Sequence, residues 1–394
     1  MSFKCLRFFR IPPPSACVCT VSPMQLAWLL TLVPQGALIA PVVSAGSGRP
    51  TSSVQSWGER NGVVCHGCEV GIAASGCRGL LATTCVQRSE PVLCVPRALT
   101  LSVDREDTNS MDPLDWLTRL SLRLAEEIDA GESSPHSEFV LSLPEPPRGP
   151  CQWDDDELGL LQNTTMAKAA SSRAVLRLAE WSKVRTRLRA KAVSQVGSRN
   201  PTLGAQALSQ RTFERAWHLT SSRVIGARGA RNQRGEQLLL VPFIDMANHA
   251  AGTGGHLSFD RASGDVSLLA GTPLAPGDEV TLDYGARSTD EFLLQYGFVP
   301  SYNPHDESTI ALACGTSAVV RWSDARDAAP EVRSACQELL DAYPTTLEGD
   351  VAELASAPPF TSLATALSYR IAKKSLLRAV AGHPAASAAT SAFR

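Results

Sequence analysis

Acidic residues are missing from the first 58 positions: Lys4, Arg7, Arg10 and Arg49 stand there, and no Asp or Glu precedes Glu59. The 394-residue chain carries 37 basic and 39 acidic side chains, so four positive charges sit in the head and a net of minus six (33 minus 39) in the rest. A uniformly basic nucleic-acid binder is thereby disfavoured. Several enzyme signatures are also absent. There is no Gly-Lys-Ser/Thr loop, no Gly-x-Ser-x-Gly elbow, no His-Glu-x-x-His helix and no full Gly-x-Gly-x-x-Gly after a strand. Phosphoryl transfer, ordinary serine hydrolysis and Rossmann cofactor binding lose their support. Cysteine is sparse. Of 11, three (Cys5, Cys17, Cys19) lie in the head, and the other eight are too dilute for a disulfide scaffold. Reduced thiols in an intracellular compartment are the simpler account. Cys65-His66-Gly67-Cys68 has half of a zinc site's spacing and no second pair follows, so structural thiols are expected rather than metal.

With 44% apolar and 19% charged residues the chain is long enough for two or three packed units, and no period marks internal repeats. The Ser/Pro/Ala/Thr-rich, acid-poor head, residues 1–55, reads as an organelle transit peptide. Its rivals are a secretory or anchoring segment over Leu26 to Val43, broken by Pro34, Gln35 and Gly36 and marginal for a span, and an unprocessed start.

Residues 56–104 read as short strands punctuated by Gly71, Gly76 and Gly79. The period then turns helical: Asp112 can cap, Pro113 suits the first position, and Leu114, Leu117, Leu120, Leu124 and Ile128 recur before Gly131. A link rich in proline (Pro144, Pro146, Pro147, Pro150) precedes Trp153-Asp154-Asp155-Asp156-Glu157, whose negative charge suits a helix start. Helix is expected on to about 195, with Val175, Leu178, Trp181 and Leu188 as an inward stripe. Eight basic residues between Lys168 and Lys191 face Glu180 alone. They read as a solvated face, with docking of an acidic protein surface as the alternative. Strands return at Leu238 to Phe243, Leu257 to Phe259, Val266 to Leu269 and Glu279 to Leu282. Ser288 and Glu291 form a capping box, and residues 318–394 look helical, fading into an Ala/Ser tail. The order is therefore strands, a helical insertion (105–210), strands again (211–300), and a helical C-terminal region (301–394): an α+β chain.

The polar residues that ask for an explanation cluster in the second β segment. Asp245, Asn248 and His249 come directly off a buried strand, and Asp283-Tyr284-Gly285 ends another. Each alone has a structural reading: Asn248 as a turn former, His249 as a satisfied core histidine, Tyr284 and Tyr296 as half-buried aromatics with bonded hydroxyls.

Together they make a pattern. Asp245-x-x-Asn248-His249, then Asp283-Tyr284-Gly285-x-x-Ser288-x-x-Glu291-Phe292-Leu293-Leu294-x-Tyr296-Gly297-Phe298-Val299, resembles the SET-domain methyltransferases, in the subgroup of the Rubisco large-subunit lysine methyltransferase. Trp57, Gly76-Cys77-Arg78-Gly79, Val95-Pro96, Trp153, Glu157-Leu158 and Phe213-x-x-Ala216-Trp217-x-x-x-Ser221-Ser222-Arg223 follow in the same order, so the resemblance covers about 56–300. It implies small sheets with a knot-like crossing that brings the Asn248 segment against Tyr284. It also implies that S-adenosylmethionine is bound by Cys77, Arg78, Gly79, Arg223, Asn248, His249 and Phe298. Tyr284 would be catalytic, with Asp245 and Tyr296 beside it on the substrate side, and no metal is called for.

The implied activity is methylation of lysine on a non-histone protein, such as the Rubisco large subunit or another plastid protein. That places the chain in the chloroplast, with the cytoplasm as alternative, a protein as partner, and no nucleic acid or stable membrane association. Histidine methylation and a SET-fold binding module without turnover are the rival readings. The sequence departs from the family in having Gly76-Cys77-Arg78-Gly79 where alternating glycines are commoner. The Gly252 to Gly255 loop has no family role, and only about 94 residues follow Pro300.

Overall fold

Two stretches of antiparallel strand flank a block of helices in the computed structural model, which describes residues 51–105, 114–146, 148–195, 208–228 and 236–382. These fall within one unit, Ala37–Arg394. The expected leader up to Pro50, Asp112, Pro113 and the Ala/Ser tail lie outside the described residues.

The first segment begins with a helix, not a strand. Helix α1 (Thr51–Arg60) buries Val54 and Trp57, and Trp57 stacks on Phe243 at 6.3 Å. Strands β1 (Val64–Cys65), β2 (Cys68–Ile72), β3 (Arg78–Ala82), β4 (Pro91–Val95) and β5 (Leu101–Asp104) follow as the glycine punctuation implies. In the insertion, α2 (Trp116–Ala130) is capped by Asp115, whose side chain accepts from Thr118 N, so the helix starts after the Asp112 expected from sequence. Leu117, Leu120 and Leu124 form its buried stripe, and Gly131 ends it. Helices α3 (Ser137–Ser142) and α4 (Asp155–Gly159) come next, the latter with Asp154 and Glu157 closing a capping box.

Helix α5 (Thr164–Gln195) corrects the expected stripe. Trp181 is buried, but Val175 and Leu178 are 66% and 48% exposed. Part of the basic run takes their place: Arg173 bonds to Ser221 Oγ and lies over the Trp217 ring, and Arg177 meets His218 Nε2. Burial and the two guanidiniums push the His218 imidazole down to about 3, so it stays neutral and can accept from Arg177.

Helix α6 (Gln210–Arg223) leads into β6 (Ile225–Arg228) and β7 (Glu236–Leu240). Strands β8 (His256–Phe259), β9 (Val266–Leu269) and β10 (Glu279–Val280) complete the second β segment. The sheets run β1-β4-β9-β8, β10-β3-β2 and β5-β7-β6, so each unites strands from both sides of the helical insertion. Their inner faces meet over Leu80, Leu93, Val95, Leu239, Leu240, Leu268 and Val280, all nearly inaccessible to water.

Beyond the core, α7 (Thr289–Glu291) is capped by Ser288 and Glu291 as expected, and continues as a π-helical turn over Phe292–Tyr296. The C-terminal region is not wholly helical, because β11 (Glu307–Ala311) and β12 (Ser317–Arg321) form a hairpin around Gly315 at φ +83°. Then come α8 (Pro330–Asp341), α9 (Leu347–Leu354) and α10 (Ser362–Ala381). Helix α10 is buried along most of its length although it carries charges. Arg370 and Lys374 both close on the buried Asp350, Lys374 at 2.7 Å, and Lys373 closes on Asp306 at 2.9 Å. Each buried cation thus has its counter-charge. Asp306 also accepts from Thr289 N at 2.9 Å, which ties α10 to the start of α7. Among the described residues no helix is long and apolar enough to cross a membrane.

Candidate active site

After β7 the chain turns sharply. Phe243 takes φ +68° and ψ −50° while Ile244 N bonds back to Pro242 O at 2.9 Å, a γ-turn of the rare, strained hand. A bulky residue held there costs on the order of 1–3 kcal/mol, offset by the packing of its ring on Trp57. The turn delivers Asp245, Ala247, Asn248 and His249 to one edge of the core.

The strand ending in Tyr284 then runs between two limbs of the loop that follows His249. Leu282 N donates to Asn248 O (2.8 Å) and Leu282 O accepts from Ala250 N (3.2 Å). On the other side Gly255 N donates to Thr281 O (2.8 Å) and Gly255 O accepts from Asp283 N (2.9 Å). Glycine is required at this crossing: a Cβ on Gly254 would stand 2.5 Å from Asp283 N, and one on Gly255 would stand 2.3 Å from Leu269 O. The Gly252 to Gly255 loop, unexplained by sequence, is therefore what lets the two segments pass.

The expected meeting of the Asn248 segment with Tyr284 is present. The Tyr284 hydroxyl donates to Ala247 O at 2.8 Å, and Tyr284 N donates to His249 Nδ1 at 3.2 Å. Burial lowers the His249 pKa, which suits an imidazole that accepts at Nδ1. Five rings gather here. His249 lies 5.0 Å from Tyr284 and 4.6 Å from Phe292, Tyr284 stacks on Tyr296 at 5.0 Å, and Phe298 packs on Phe292 at 5.4 Å. Phe292 was not singled out as a site residue, although its spacing of four from Tyr296 on a helix was visible. The π-helical turn, closed by Gly297 N on Phe292 O, directs Phe292 and Tyr296 into the same cluster. Burial raises both phenols, Tyr284 well above the ordinary value and Tyr296 in the same direction, so both stay protonated at neutral pH.

On the other side of Asn248, its amide nitrogen donates to Glu279 Oε1 (2.7 Å) and Arg78 O (3.2 Å). Gly79 makes room: a Cβ there would lie 2.9 Å from Glu279 Oε1 and 3.0 Å from Asn248 Nδ2. Glu279 was missed in the sequence because it reads as an ordinary strand residue after a turn. Cys77 is buried in the turn before β3, and the Arg78 guanidinium donates to Ser142 O. Arg223 ends α6 and meets Asp245, with Nη1 bonded to Asp245 O and 3.1 Å from Oδ2. The Asp245 side chain is only 1% exposed, so it is the partner of Arg223 and does not face open space. Burial raises its pKa against the pull of Arg223 and Arg78. Arg223 Nε and Asp245 Oδ1 are buried without a hydrogen-bond partner.

Residues 274–377 match the family model for Rubisco LSMT substrate-binding. The chain is 26% identical over 278 residues to actin-histidine N-methyltransferase from Otolemur garnettii and to the Mus musculus protein of the same name. The match covers 67% of this chain but only 44% and 45% of those relatives. Among solved structures, the SET domain of LSMT bound to lysine and AdoHcy superposes with a TM-score of 0.61 at 18% identity, covering 84% of this chain and 90% of that one. Rubisco LSMT bound to sinefungin and monomethyllysine gives a TM-score of 0.61 at 19% identity, with the same coverage. Strand pairing across a helical insertion, the threaded crossing and these superpositions agree: the chain has the SET-domain methyltransferase fold, with a match to the Rubisco LSMT substrate-binding family over its C-terminal side.

Proposed function

We propose that this protein is a protein N-methyltransferase using S-adenosylmethionine, with lysine as the target. The observation that carries the reading is the Tyr284 hydroxyl seated on Ala247 O inside the five-ring cluster. The donor set suits the cofactor. Arg223, Arg78 and Asp245 form a buried group with one positive charge in excess, and the unpartnered Arg223 Nε supports binding of an amino-acid carboxylate there. Asn248 and the backbone around Gly79 would hold the amino end, while His249 and Phe298 would pack beside the adenine.

When bound, S-adenosylmethionine supplies an electrophilic methyl group on a sulfonium. The chain's own part is alignment. Because the Tyr284 O–H is used on Ala247 O, its oxygen lone pairs are free to orient the substrate nitrogen and the polarised methyl group. With its pKa raised, the phenol is an acceptor of weak contacts and not a base. A lysine has a pKa near 10.4 in water, and the apolar walls of Phe292, Tyr296 and Phe298 disfavour its ammonium form, so the side chain gives its proton to solvent water as it enters.

Histidine is the second reading, favoured by the names of the sequence relatives. It is also favoured by the burial of Asp245 beside Arg223, which keeps that carboxylate away from open space and from an entering ammonium group. An imidazole arrives neutral and needs no base. The test is incubation with labelled S-adenosylmethionine and candidate proteins, including actin and the Rubisco large subunit, followed by mass-spectrometric location of the methyl group. Methyl on lysine supports the first reading and on imidazole the second; no transfer together with no cofactor binding removes both. A rate rising with pH well past 8 marks lysine, whereas a plateau above about 6.5 marks histidine.

A further inference from the structure

The amino-acid end of S-adenosylmethionine is a zwitterion, so its site needs two poles. Arg223, Arg78 and Asp245 leave a positive excess for the carboxylate. A negative pole lies at the edge of β3. Strand β10 pairs with β3 only through Glu279 with Leu81 and Val280 with Leu80, so β10 leaves that edge unpaired at Arg78 and Gly79. The Asn248 side chain reaches in there instead.

The hydrogen bonds fix which atoms remain available. Asn248 Nδ2 uses its two hydrogens on Glu279 Oε1 (2.7 Å) and Arg78 O (3.2 Å). Both partners are acceptors, so the amide nitrogen must face them and Oδ1 must face away. Two acceptors are left over, Asn248 Oδ1 and Glu279 Oε2, and neither is bonded among the described residues. Glu279 is half-buried, and among the described residues no cation closes on it. Asp245, Asp306 and Asp350 differ in this respect, since each has an Arg or Lys nitrogen within 3.1 Å. Burial raises the Glu279 pKa, a cost that a bound cation offsets. Gly79 lets the pair lie against β3, where a Cβ would stand 2.9 Å from Glu279 Oε1 and 3.0 Å from Asn248 Nδ2.

We propose that Glu279 is the counter-charge for the α-ammonium group of S-adenosylmethionine, which it receives together with Asn248 Oδ1. The assignment rests on the cofactor reading above and adds to it a binding residue and a selectivity. The site then discriminates by the amino group as well as by the carboxylate, and the same pole serves S-adenosylhomocysteine, which keeps both.

The test is calorimetric titration of the full chain with S-adenosylhomocysteine and with its desamino analogue, in which hydrogen replaces the α-ammonium. Wild type should bind the first about tenfold or more tightly than the second. Glu279→Gln keeps the side-chain length and an oxygen to accept from Asn248, but not the charge. It should lose about ten- to a hundredfold in affinity for S-adenosylhomocysteine and bind the desamino analogue as wild type does. Glu279→Asp restores the charge on a shorter stem and should keep more of the selectivity than Glu279→Gln. Equal weakening of both ligands in Glu279→Gln would make the residue a prop for Asn248 and overturn the proposal, as would unchanged affinity for both, or selectivity better kept by Gln than by Asp. If the variants fail to fold, a wild-type preference below about threefold, with both ligands bound, rejects the role of Glu279 and leaves the cofactor reading in place. Failure of wild type to bind either ligand removes that reading and the proposal with it.

Discussion

Replacing Tyr284 by Phe removes one oxygen and keeps the ring, so it separates alignment from packing. The stacks on Tyr296 at 5.0 Å and on His249 at 5.0 Å survive, and so does the backbone bond from Tyr284 N to His249 Nδ1. What is lost is the 2.8 Å donor to Ala247 O. Leaving that carbonyl without a partner costs about 1–2 kcal/mol of stability, or roughly 2–8 °C in Tm for a domain of this size. The reaction should lose more. Removing one fixed polar contact from a transition state typically costs ~10²–10³ in rate, about 2.7–4 kcal/mol. Single-turnover transfer of a labelled methyl group should therefore fall ~10²–10³-fold. Cofactor affinity, followed by calorimetry, should change by no more than about threefold, since Arg223 and Asn248 are untouched. Turnover within a factor of about two of wild type would reduce Tyr284 to a packing residue and sink the alignment argument.

Three other outcomes are expected. Arg223→Lys keeps a charge for Asp245 but loses the planar fork, and should weaken S-adenosylmethionine binding about tenfold or more with the fold intact by circular dichroism. Gly254→Ala drives a Cβ to 2.5 Å from Asp283 N and 2.6 Å from Ala250 O, both backbone atoms that cannot yield, and should abolish cofactor binding or soluble expression. Asp350→Asn strips Arg370 and Lys374 of their shared carboxylate and should cost about 3–5 kcal/mol by denaturant melts. Burial works against the Asp350 carboxylate, but its bonds to Arg370, Lys374 and Thr345 outweigh that and hold its pKa below the ordinary value. Its stabilisation is therefore present above the unfolded carboxyl pKa of about 3.9 and is lost as pH falls through the lower folded value. The gap between wild type and Asp350→Asn should close in acid; a constant gap down to about pH 2 would count against the ion-pair account.

The strands around the helical insertion were legible because short apolar runs bounded by glycine and proline carry their own turn chemistry, as at Val266–Leu269 and Pro91–Val95. The capping boxes at Asp154 and Ser288 were legible for the same local reason. Where tertiary contact decides, the reading failed. Helix α1 depends on Trp57 finding Phe243, a partner far along the chain. The stripe on α5 went wrong because Arg173 and Arg177 meet Ser221 and His218 on α6, while Val175 and Leu178 stay in water. The site residues came from a pattern of residue types, and that pattern is silent on pairing. It gave no sign that Asp245 would turn away to Arg223, or that Glu279 would take the Asn248 amide.

The threaded crossing has a consequence for how the protein is made. The loop after His249 cannot close around the Thr281–Asp283 segment until that segment exists, so the candidate site depends on contacts that a growing chain must wait to acquire. Such non-local pairings slow folding. During synthesis the helical insertion can consolidate early, while the apolar strand Pro91–Val95 waits for Val266–Leu269 to pair with it and is the segment a chaperone would have to shield.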